Sequence, residues 1–563
     1  MRKIQVGTSD FKEIIENNYL FIDKTLFIRD IVEDGSKVIL IPRPRRFGKT
    51  LNMSMVKYFF NNEGNQGHLF KGLKIENHKS IMEMQGMYPV IFISFKEVKS
   101  INLHGFYYKM KETISREYMK HDYLLRSGAL NEYEKSLYKD IIELKAENIV
   151  YENSLSNLIL YLKRYYEEKV ILLIDEYDVP IQEAYLNNYY EEAISFMRNL
   201  LGAALKDNNN LYKGILTGIL KVTKESIFSG LNNITVYNLL EKRYGDDFGF
   251  TEEELDELLN IYNLNKDKNE VKSWYNGYKF GDETIYNPWS VLNFINNKED
   301  GLRPYWANTS GNEIIKELLL EGGANLKGEL ELLLDGKEIT KAINENIVMN
   351  EIKDTTENIW SFLLFSGYLK VVERKLENGV SICKVKIPNK EVEFIYREII
   401  LKTFKESLKD DEFVYMLQAL VTGDVETFEM IFADIVEKSL SYFDVKEDGE
   451  NFYHAFVLGI LVALNKTHKV KSNRESGYGR YDVMVIPKDI SKIGIIIEFK
   501  KVNKRRKETL EEAVHSGLKQ IEDKNYRVEM EELGIKNIVE MAIGFQGKEI
   551  LIKEGENVNG KKI

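Results

Sequence analysis

The chain has 563 residues, a length that indicates about three to four domains and excludes a single small binding module. Apolar residues make up 44% and charged residues 30% of the sequence, which is typical of a globular protein and not of a disordered or fibrous one. With 78 Lys and Arg against 89 Asp and Glu, the formal net charge is −11. That charge excludes uniform wrapping of nucleic acid but allows a local basic groove.

Cysteine content and hydropathy indicate the compartment. Cys383 is the only cysteine, so the chain forms neither an internal disulfide nor a zinc site built on several cysteines, in keeping with a reducing environment. The longest apolar stretch, residues 455–464, is shorter than the roughly 20 residues of a transmembrane helix, and the amino terminus lacks the apolar core of a signal peptide. The sequence therefore predicts a cytoplasmic protein that does not bind membranes.

Three domains are predicted from changes of pattern along the chain. Residues 1–250 alternate short β-branched runs with long amphipathic stretches, which indicates an open α/β sheet with strands at 38–41, 90–95, 170–174 and 214–220. Residues 251–405 are predicted to be mainly helical, beginning with a helix that Thr251 and Glu254 would open as a capping box. A final α+β unit is predicted over residues 406–563.

A phosphate-binding loop is predicted where the first strand meets a helix. The string IPRPRRFGKT leads into apolar residues at helical spacing. In such a loop, backbone N–H groups cradle phosphate oxygens, Lys49 neutralises the β- and γ-phosphates, and the Thr50 hydroxyl binds Mg²⁺. Gly48 lets the backbone approach closely. Arg43 stands where the usual GxxxxGK[ST] pattern has its first glycine.

Two carboxylates at the end of a second apolar run support a nucleotide site. Asp175 is predicted to hold Mg²⁺ through water, and Glu176 to orient the attacking water. Thr217, near the end of another strand, is a candidate for sensing the γ-phosphate, and a buried, hydrogen-bonded threonine explains it equally well. The alternative for the whole pattern is a helix capped by Thr50 and a solvated strand end.

The strings FIDKTLFI, RPRRFGKTLNMSM, LLIDEYDVPI and SIFSGLNN, within residues 15–240, resemble the AAA-ATPase-like domain of a bacterial family of uncharacterised two-part proteins. The resemblance continues through WYNGYKF, YNPWSVL, YWANTSGN and FSGYLK. It implies ATP binding by an additional-strand P-loop fold with a helical extension, and it includes the arginine at position 43. Arg43, Arg45 and Arg46 are predicted either to surround the triphosphate with positive charge or to meet a partner.

A second group of charged residues lies near the carboxyl terminus, in candidate strands at residues 481–486 and 493–500. Glu498 and Lys500 share one face of their strand because side chains alternate. If Asp482 lies on that face, Asp482 and Glu498 would hold Mg²⁺ beside a scissile phosphate, and Lys500 would position the attacking water. The alternative is an ion pair on an edge strand, although three preceding isoleucines favour a central strand.

The pattern D-(x15)-E-x-K resembles the PD-(D/E)xK nuclease superfamily, and SNRESGYGRYDVMVIP resembles the restriction-endonuclease-like α+β domain that accompanies this ATPase-like domain. The resemblance implies that Gln520 is an orienting hydrogen-bond partner, that Glu475 is an additional acid, and that Tyr526 matches a further position. Tyr481 stands where the superfamily has proline. His454 also matches, although a helix-packing histidine explains it as well.

Residues 500–507 include six basic residues, which either contact a phosphate backbone or form a solvated loop. The sequence thus predicts an ATP-binding protein, an ATPase, whose nucleotide state gates Mg²⁺-dependent hydrolysis of nucleic acid, DNA more than RNA. One alternative is an ATP-dependent switch or scaffold that binds nucleic acid without cutting it. Another is a nuclease that binds nucleotide without hydrolysing it. No residue is assigned as an arginine finger, and homo-oligomer formation stays open.

Overall fold

The computed structural model describes residues 2–64, 66–220, 233–306, 313–321, 324–334, 336–406, 410–439, 461, 464, 467–476, 479–502, 508–546 and 549–555. The chain packs into two compact units, Met1–Ser310 with Glu338–Val392 and Gly311–Lys337 with Glu393–Ile563. The domain boundaries at residues 250 and 405 stay predictions. His454 and the basic residues 504–507 lie outside the described residues. Within the described residues, every helix is too short or too polar to cross a bilayer.

The first unit is built on a parallel sheet with strand order β2-β3-β4-β1-β5. Its strands are β1 (Val38–Pro42), β2 (Val90–Ser94), β3 (Val170–Asp175), β4 (Leu211–Gly218) and β5 (Ile234–Val236). β1 and β3 are buried along their whole length, as expected for parallel strands covered on both faces. The four predicted strands are confirmed, and β5 is an additional one.

The position of β4 between β1 and β3 brings the predicted nucleotide residues together. Because these strands are parallel, their carboxyl ends meet at one edge of the sheet. Thr217 pairs in register with Ile41 of β1, two residues before Arg43. The loop after β1, Asp175 at the end of β3 and Thr217 on β4 therefore lie at the same edge. This order is that of the additional-strand P-loop fold.

Helices cover this sheet and continue beyond it. In the first 205 residues they are α1 (Phe11–Glu16), α2 (Leu26–Glu33), α3 (Lys49–Phe60), α4 (Lys79–Met82), α5 (Leu103–Lys120), α6 (Glu132–Ile142), α7 (Asn148–Glu152), α8 (Ser154–Tyr166), α9 (Val179–Leu186) and α10 (Tyr190–Leu205). Gly48 caps α3 with a φ of 84°, a left-handed conformation that glycine adopts without strain. Glycine is therefore required here by the turn into the helix.

The middle region is helical, as predicted, and also contains two small antiparallel sheets. Its helices in this unit are α11 (Glu252–Ile261), α12 (Lys268–Tyr275), α13 (Pro288–Asn296) and α16 (Thr356–Phe365). The capping box of Thr251 and Glu254 on α11 is confirmed. The sheets pair β6 (Tyr278–Phe280) with β7 (Glu283–Ile285), and β8 (Ile339–Ile343) with β10 (Val380–Lys386) and β9 (Lys370–Glu377).

The second unit is an α+β domain, as predicted. Its helices are α14 (Glu313–Glu321), α15 (Ala324–Leu334), most of α17 (Lys390–Glu406), α18 (Asp410–Thr422), α19 (Val425–Ser439), α20 (Leu510–Lys524) and α21 (Val528–Glu532). Its mixed sheet runs in chain order through β11 (His468–Ser476), β12 (Gly479–Pro487), β13 (Gly494–Lys501), β14 (Ile538–Gln546) and β15 (Glu549–Glu554). Within the described residues of this sheet, β13 and β14 pair in parallel, and the other neighbouring strands pair antiparallel.

The two faces of this second sheet have separate cores. Val483, Ile497 and Phe499 belong to a core that includes residues of α18 and α19. Met484 and Ile496 belong to the opposite core, with Ile521 of α20. Because side chains alternate along a strand, Asp482, Glu498 and Lys500 lie on the α20 face. The chemistry expected of these residues is therefore confined to one side of the sheet.

Candidate active sites

Lys49 is held inside the phosphate loop by the loop's own backbone. Its Nζ lies 3.0 Å from both the Arg43 and the Pro44 carbonyl oxygens, and the residue is 4% exposed. Burial lowers the pKa of Lys49, and the charges of Glu176 and Asp175 oppose that change. A triphosphate would therefore have to exchange these two carbonyl bonds for bonds to its own oxygens.

Asp175 joins the phosphate loop to the neighbouring strand. Its Oδ2 accepts a hydrogen bond of 2.7 Å from the Thr50 hydroxyl, and its Oδ1 accepts one of 2.7 Å from the Thr217 hydroxyl. Burial raises the pKa of Asp175, and the charge of Glu176 adds to that rise. A hydroxyl and a carboxylate are oxygen ligands of the kind that Mg²⁺ prefers, so Thr50 and Asp175 fit a magnesium ion.

Glu176 and Arg46 both have left-handed backbone conformations at this edge of the sheet. Their φ angles are 51° and 69°, in a region that non-glycine residues rarely adopt. The Arg46 guanidinium lies 4.2 Å from the centre of the Trp289 ring. Burial against its neighbours lowers the pKa of Arg46, and the charge of Glu176 opposes that change. Glu176 thus acts electrostatically on Arg46 and on Lys49.

Arg43 lies in the interior and not at a surface that could meet a partner, which was one of its two predicted places. It is fully buried, and its guanidinium donates to the carbonyl oxygens of Pro42, Tyr237 and Tyr244 at 2.9, 2.7 and 2.9 Å. Burial lowers its pKa to about 9. The predicted contact of Arg43 with a partner at the surface is wrong, because a side chain without exposure cannot supply one. Arg43 instead ties the loop to the segment after β5.

The middle region packs directly on the phosphate loop. Phe47 has its ring centre 4.8 Å from that of Tyr278 and 5.2 Å from that of Phe280. A Cβ atom at Gly367 would lie 2.9 Å from Pro44 Cβ, so this position excludes a larger side chain. Tyr278 and Phe280 belong to the string WYNGYKF, Gly367 belongs to FSGYLK, and Trp289, which contacts Arg46, belongs to YNPWSVL. Each of these strings therefore supplies a contact to the phosphate loop.

Asp178 is a buried residue of this site that the sequence analysis missed. Its Oδ2 accepts from the backbone N–H groups of Ile219 and Leu220 at 2.8 and 3.1 Å, and from Gln182 Nε2 at 2.8 Å. Gln182 Oε1 in turn accepts from Arg45 at 3.2 Å. This chain of bonds connects the loop to the end of β4. The third acid of the string LLIDEYD was the available signal.

The second site lies where β12 and β13 pair. Val483 stands opposite Ile497, which places Asp482 beside Glu498. Asp482 Oδ2 accepts a hydrogen bond of 2.8 Å from the Phe499 backbone N–H. β13 lies between β12 and β14, so the alternative of an ion pair on an edge strand is wrong. The predicted convergence of the two carboxylates is what the strand register produces.

Glu498, Lys500 and Gln520 form a closed triangle of hydrogen bonds. Lys500 Nζ donates to Glu498 Oε1 at 2.8 Å and to Gln520 Oε1 at 2.9 Å, and Gln520 Nε2 donates to Glu498 Oε1. Gln520 Nε2 also lies 3.1 Å from the Tyr526 hydroxyl. Burial and the charge of Asp482 raise the pKa of Glu498 to about 7, and Lys500 opposes them.

The remaining oxygen of Glu498 fits a divalent cation. Glu498 is 1% exposed, and its Oε2 has no hydrogen-bond partner among the described residues. Burying an unpaired carboxylate oxygen is costly, and this one lies beside a second carboxylate, Asp482. Mg²⁺ commonly takes one or two carboxylates and keeps waters for its other positions, so two protein ligands suffice. Within the described residues, no group of three or more acidic, His or Cys side chains gathers elsewhere for a metal.

Glu475 is placed only by its backbone. It lies on β11 opposite Arg480 of β12, and β12 separates it from the strand that carries Glu498. Its predicted role as an additional acid stays a prediction.

Comparisons with known proteins match both ends of the chain. Residues 5–228 match a family described as a predicted AAA-ATPase, and residues 448–555 match the PD-(D/E)XK nuclease superfamily. A protein of Azotobacter chroococcum mcd 1, described as an uncharacterized protein in the vnfD 5′ region, is 26% identical over 402 residues. That match covers 71% of this chain and 70% of the other. Both resemblances drawn from the sequence are confirmed.

Proposed function

We propose that this chain, with an AAA-ATPase-like domain followed by a PD-(D/E)XK superfamily domain, is an ATP-hydrolysing, Mg²⁺-dependent nuclease that acts on DNA. The observation that carries the proposal is the Asp482–Glu498 pair with its unpartnered Oε2 atom. A buried carboxylate oxygen without a donor, on the same face as a lysine, is suited to a cation beside a phosphate.

In the first site, the chain's own residues bind the triphosphate and direct the water. Lys49 neutralises the β- and γ-phosphates after leaving the Arg43 and Pro44 carbonyls. Thr50 and Asp175 would hold Mg²⁺, which would neutralise the charge that develops on the phosphate oxygens. Glu176 orients the attacking water. Thr217, already bonded to Asp175, responds to the γ-phosphate through that carboxylate.

In the second site, Asp482 and Glu498 hold Mg²⁺, which lowers the pKa of water and stabilises charge on the phosphate when bound. Lys500 orients the attacking water and is itself fixed by Glu498 and Gln520. Gln520 holds one oxygen of the Glu498 carboxylate, so that the other oxygen would be left to bind the cation. This division of roles follows from the closed triangle, in which each polar group restrains the other two.

The test is cleavage by the purified full chain of linear, circular and single-stranded DNA and of RNA, with Mg²⁺ or Mn²⁺ and with or without ATP. Glu498→Ala is expected to abolish cleavage. The matched control is Glu554→Ala, which removes an exposed glutamate at the end of β15 in the same sheet and is expected to cut like wild type. Calorimetric titration with Mn²⁺ provides a second readout. Glu498→Gln should weaken Mn²⁺ binding, while the glutamine oxygen still accepts the hydrogen bonds from Lys500 and Gln520.

The ATP dependence is tested with Lys49→Ala. If nucleotide gates cleavage, ATP should change the cutting rate of wild type and leave this variant unaffected. Equal cutting by both proteins in both conditions would contradict the gating. An absence of cutting on every substrate by a folded, ATP-binding protein would favour the switch or scaffold function instead.

A further inference from the structure

Arg46 keeps a long side chain at a backbone position suited to glycine. It lies two residues before Gly48, and its φ of 69° is left-handed. Such a conformation costs free energy for any residue with a Cβ atom, and it is typically kept where function needs that particular side chain. The backbone of Arg46 therefore gives a reason to ask what the guanidinium does.

Trp289 fixes the direction of that guanidinium. The two groups lie 4.2 Å apart, within the range of a cation–π contact. Trp289 is itself held at two points, because its backbone N–H donates to Asn287 Oδ1 at 2.9 Å and its ring Nε1 donates to the Tyr305 carbonyl at 3.1 Å. Trp289 is thus a rigid platform at the start of α13, and Arg46 is stacked on it.

The three arginines of the loop have different surroundings. The Arg43 guanidinium is buried among backbone carbonyls, and Arg45 donates to Gln182. Arg46 is exposed, and its guanidinium carbon lies over the Trp289 ring, a contact in which an arginine can keep N–H donors available for a phosphate. Arg46 is therefore placed to donate to a phosphate oxygen without leaving Trp289.

We infer that Arg46 is a charge-stabilising arginine supplied within the chain to the γ-phosphate, and that Trp289 is its positioning residue. The inference rests on the proposed ATPase function. Charge that develops on the γ-phosphoryl oxygens during hydrolysis is commonly neutralised by such an arginine, supplied by the same chain or by another one. Here the loop itself supplies it, three residues before Lys49, which is expected to bind phosphate.

Arg46→Gly separates this role from a structural one. Glycine adopts the left-handed backbone without strain, so the melting temperature should stay the same or rise. Phosphate release from ATP should fall on the order of 10³-fold in kcat. Affinity for a fluorescent ADP should not change, and affinity for a non-hydrolysable ATP analogue should fall, because only the analogue carries a γ-phosphate.

Glu167→Gly is the matched control. Glu167 is exposed, has a φ of 60° and ends α8, so the substitution gives the same backbone relief away from the loop. It should leave phosphate release unchanged. Trp289→Leu should lower kcat by roughly 3- to 30-fold with a smaller effect on KM, and Trp289→Phe should retain part of the lost rate.

Two results would overturn the inference. One is wild-type turnover by Arg46→Gly. The other is an equal loss of affinity for ADP and for the ATP analogue, which would place the guanidinium on the α- or β-phosphate. If the wild type binds ATP but releases no phosphate, the proposed ATPase function fails, and the ratio of analogue to ADP affinity still decides the Arg46 contact. An unchanged ratio in the variant would then exclude it.

Discussion

The two candidate sites differ in how the carboxylate expected to bind the cation is paired. At the nucleotide site, both oxygens of Asp175 accept from threonines, and the Lys49 ammonium donates to two carbonyls. At the nuclease-like site, Glu498 Oε1 accepts twice whereas Oε2 lacks a partner among the described residues. Since buried polar groups are normally paired, the unpaired Glu498 oxygen is a stronger sign of an absent ligand than the two paired oxygens of Asp175.

The hydrogen bonds of Lys49 and Asp175 have a further implication for the nucleotide site. A ligand must break existing hydrogen bonds before it makes its own, so binding changes the loop and not only the ligand. The open position at Glu498 needs no such exchange. We therefore expect substitutions that remove these hydrogen bonds at the first site to act through loop stability, and those at the second site to act through metal affinity.

Arg43→Gly is expected to have the largest effect, although it restores the usual GxxxxGKT pattern. Removing the buried side chain leaves a cavity and unpaired carbonyls at Pro42, Tyr237 and Tyr244, which should cost about 3 kcal/mol or more of unfolding free energy. Urea denaturation measures that loss, and ATP binding should weaken with it. A stable variant that binds ATP as tightly as wild type would show that the motif glycine serves equally well here.

Gln520→Leu should have the next largest effect, at the nuclease-like site that contains Glu498. The substitution removes the donor to Glu498 and the acceptor for Lys500, so metal affinity and cleavage should each fall roughly 10- to 100-fold. Mn²⁺ titration and cleavage rates measure the two effects. Gln546→Leu, at an exposed position at the end of β14, is the control and should leave both unchanged. Full activity of Gln520→Leu would mean that the triangle is not needed to orient Glu498.

Thr217→Val tests a single hydrogen bond of the nucleotide site, the one from the Thr217 hydroxyl to Asp175. It preserves side-chain shape but leaves Asp175 Oδ1 without its donor, which should cost about 1–3 kcal/mol of unfolding free energy. Thr217→Ser retains the hydroxyl and should recover most of the loss. Thermal or urea unfolding distinguishes the two. Equal stability of the valine and serine variants would argue that Asp175 finds another partner.

Glu391→Gln should be visible as a change in the pH dependence of stability. Glu391 is buried, accepts from Ser290 and from the Trp306 N–H, and its pKa is raised to about 8, chiefly by burial. The folded protein therefore keeps a proton that the unfolded chain releases above its ordinary pKa. Stability that depends on this group is present at low pH and is lost as pH rises toward 8.

The measurement is the melting temperature between pH 5 and pH 8.5 for wild type and Glu391→Gln. Glutamine imitates the protonated acid, so its curve should fall less over this interval. The difference between the two proteins isolates Glu391 from other titrating groups. Parallel curves would contradict the raised pKa.

Much of the fold followed from local patterns in the sequence. Short β-branched apolar runs identified β1 to β4, and the Thr251–Glu254 spacing identified the capping box of α11, because both depend on residues close in the chain. The hairpin of β9 and β10 was missed although it has a local signal. Its two-residue turn, Asn378–Gly379, has φ angles of 50° and 81°, as Asn-Gly hairpin turns require.

The sequence by itself indicated which residues are candidates for the chemistry: the loop ending in Lys49 and Thr50, the strand ending in Asp175, and the E-x-K strand. Only the tertiary structure decided how they meet. The insertion of β4 brings Thr217 to Asp175, and the register of β12 against β13 brings Asp482 to Glu498. The tertiary structure also decided that the Arg43 side chain is buried. Strand order, register and burial arise from contacts between residues distant in the chain, which local periodicity does not encode.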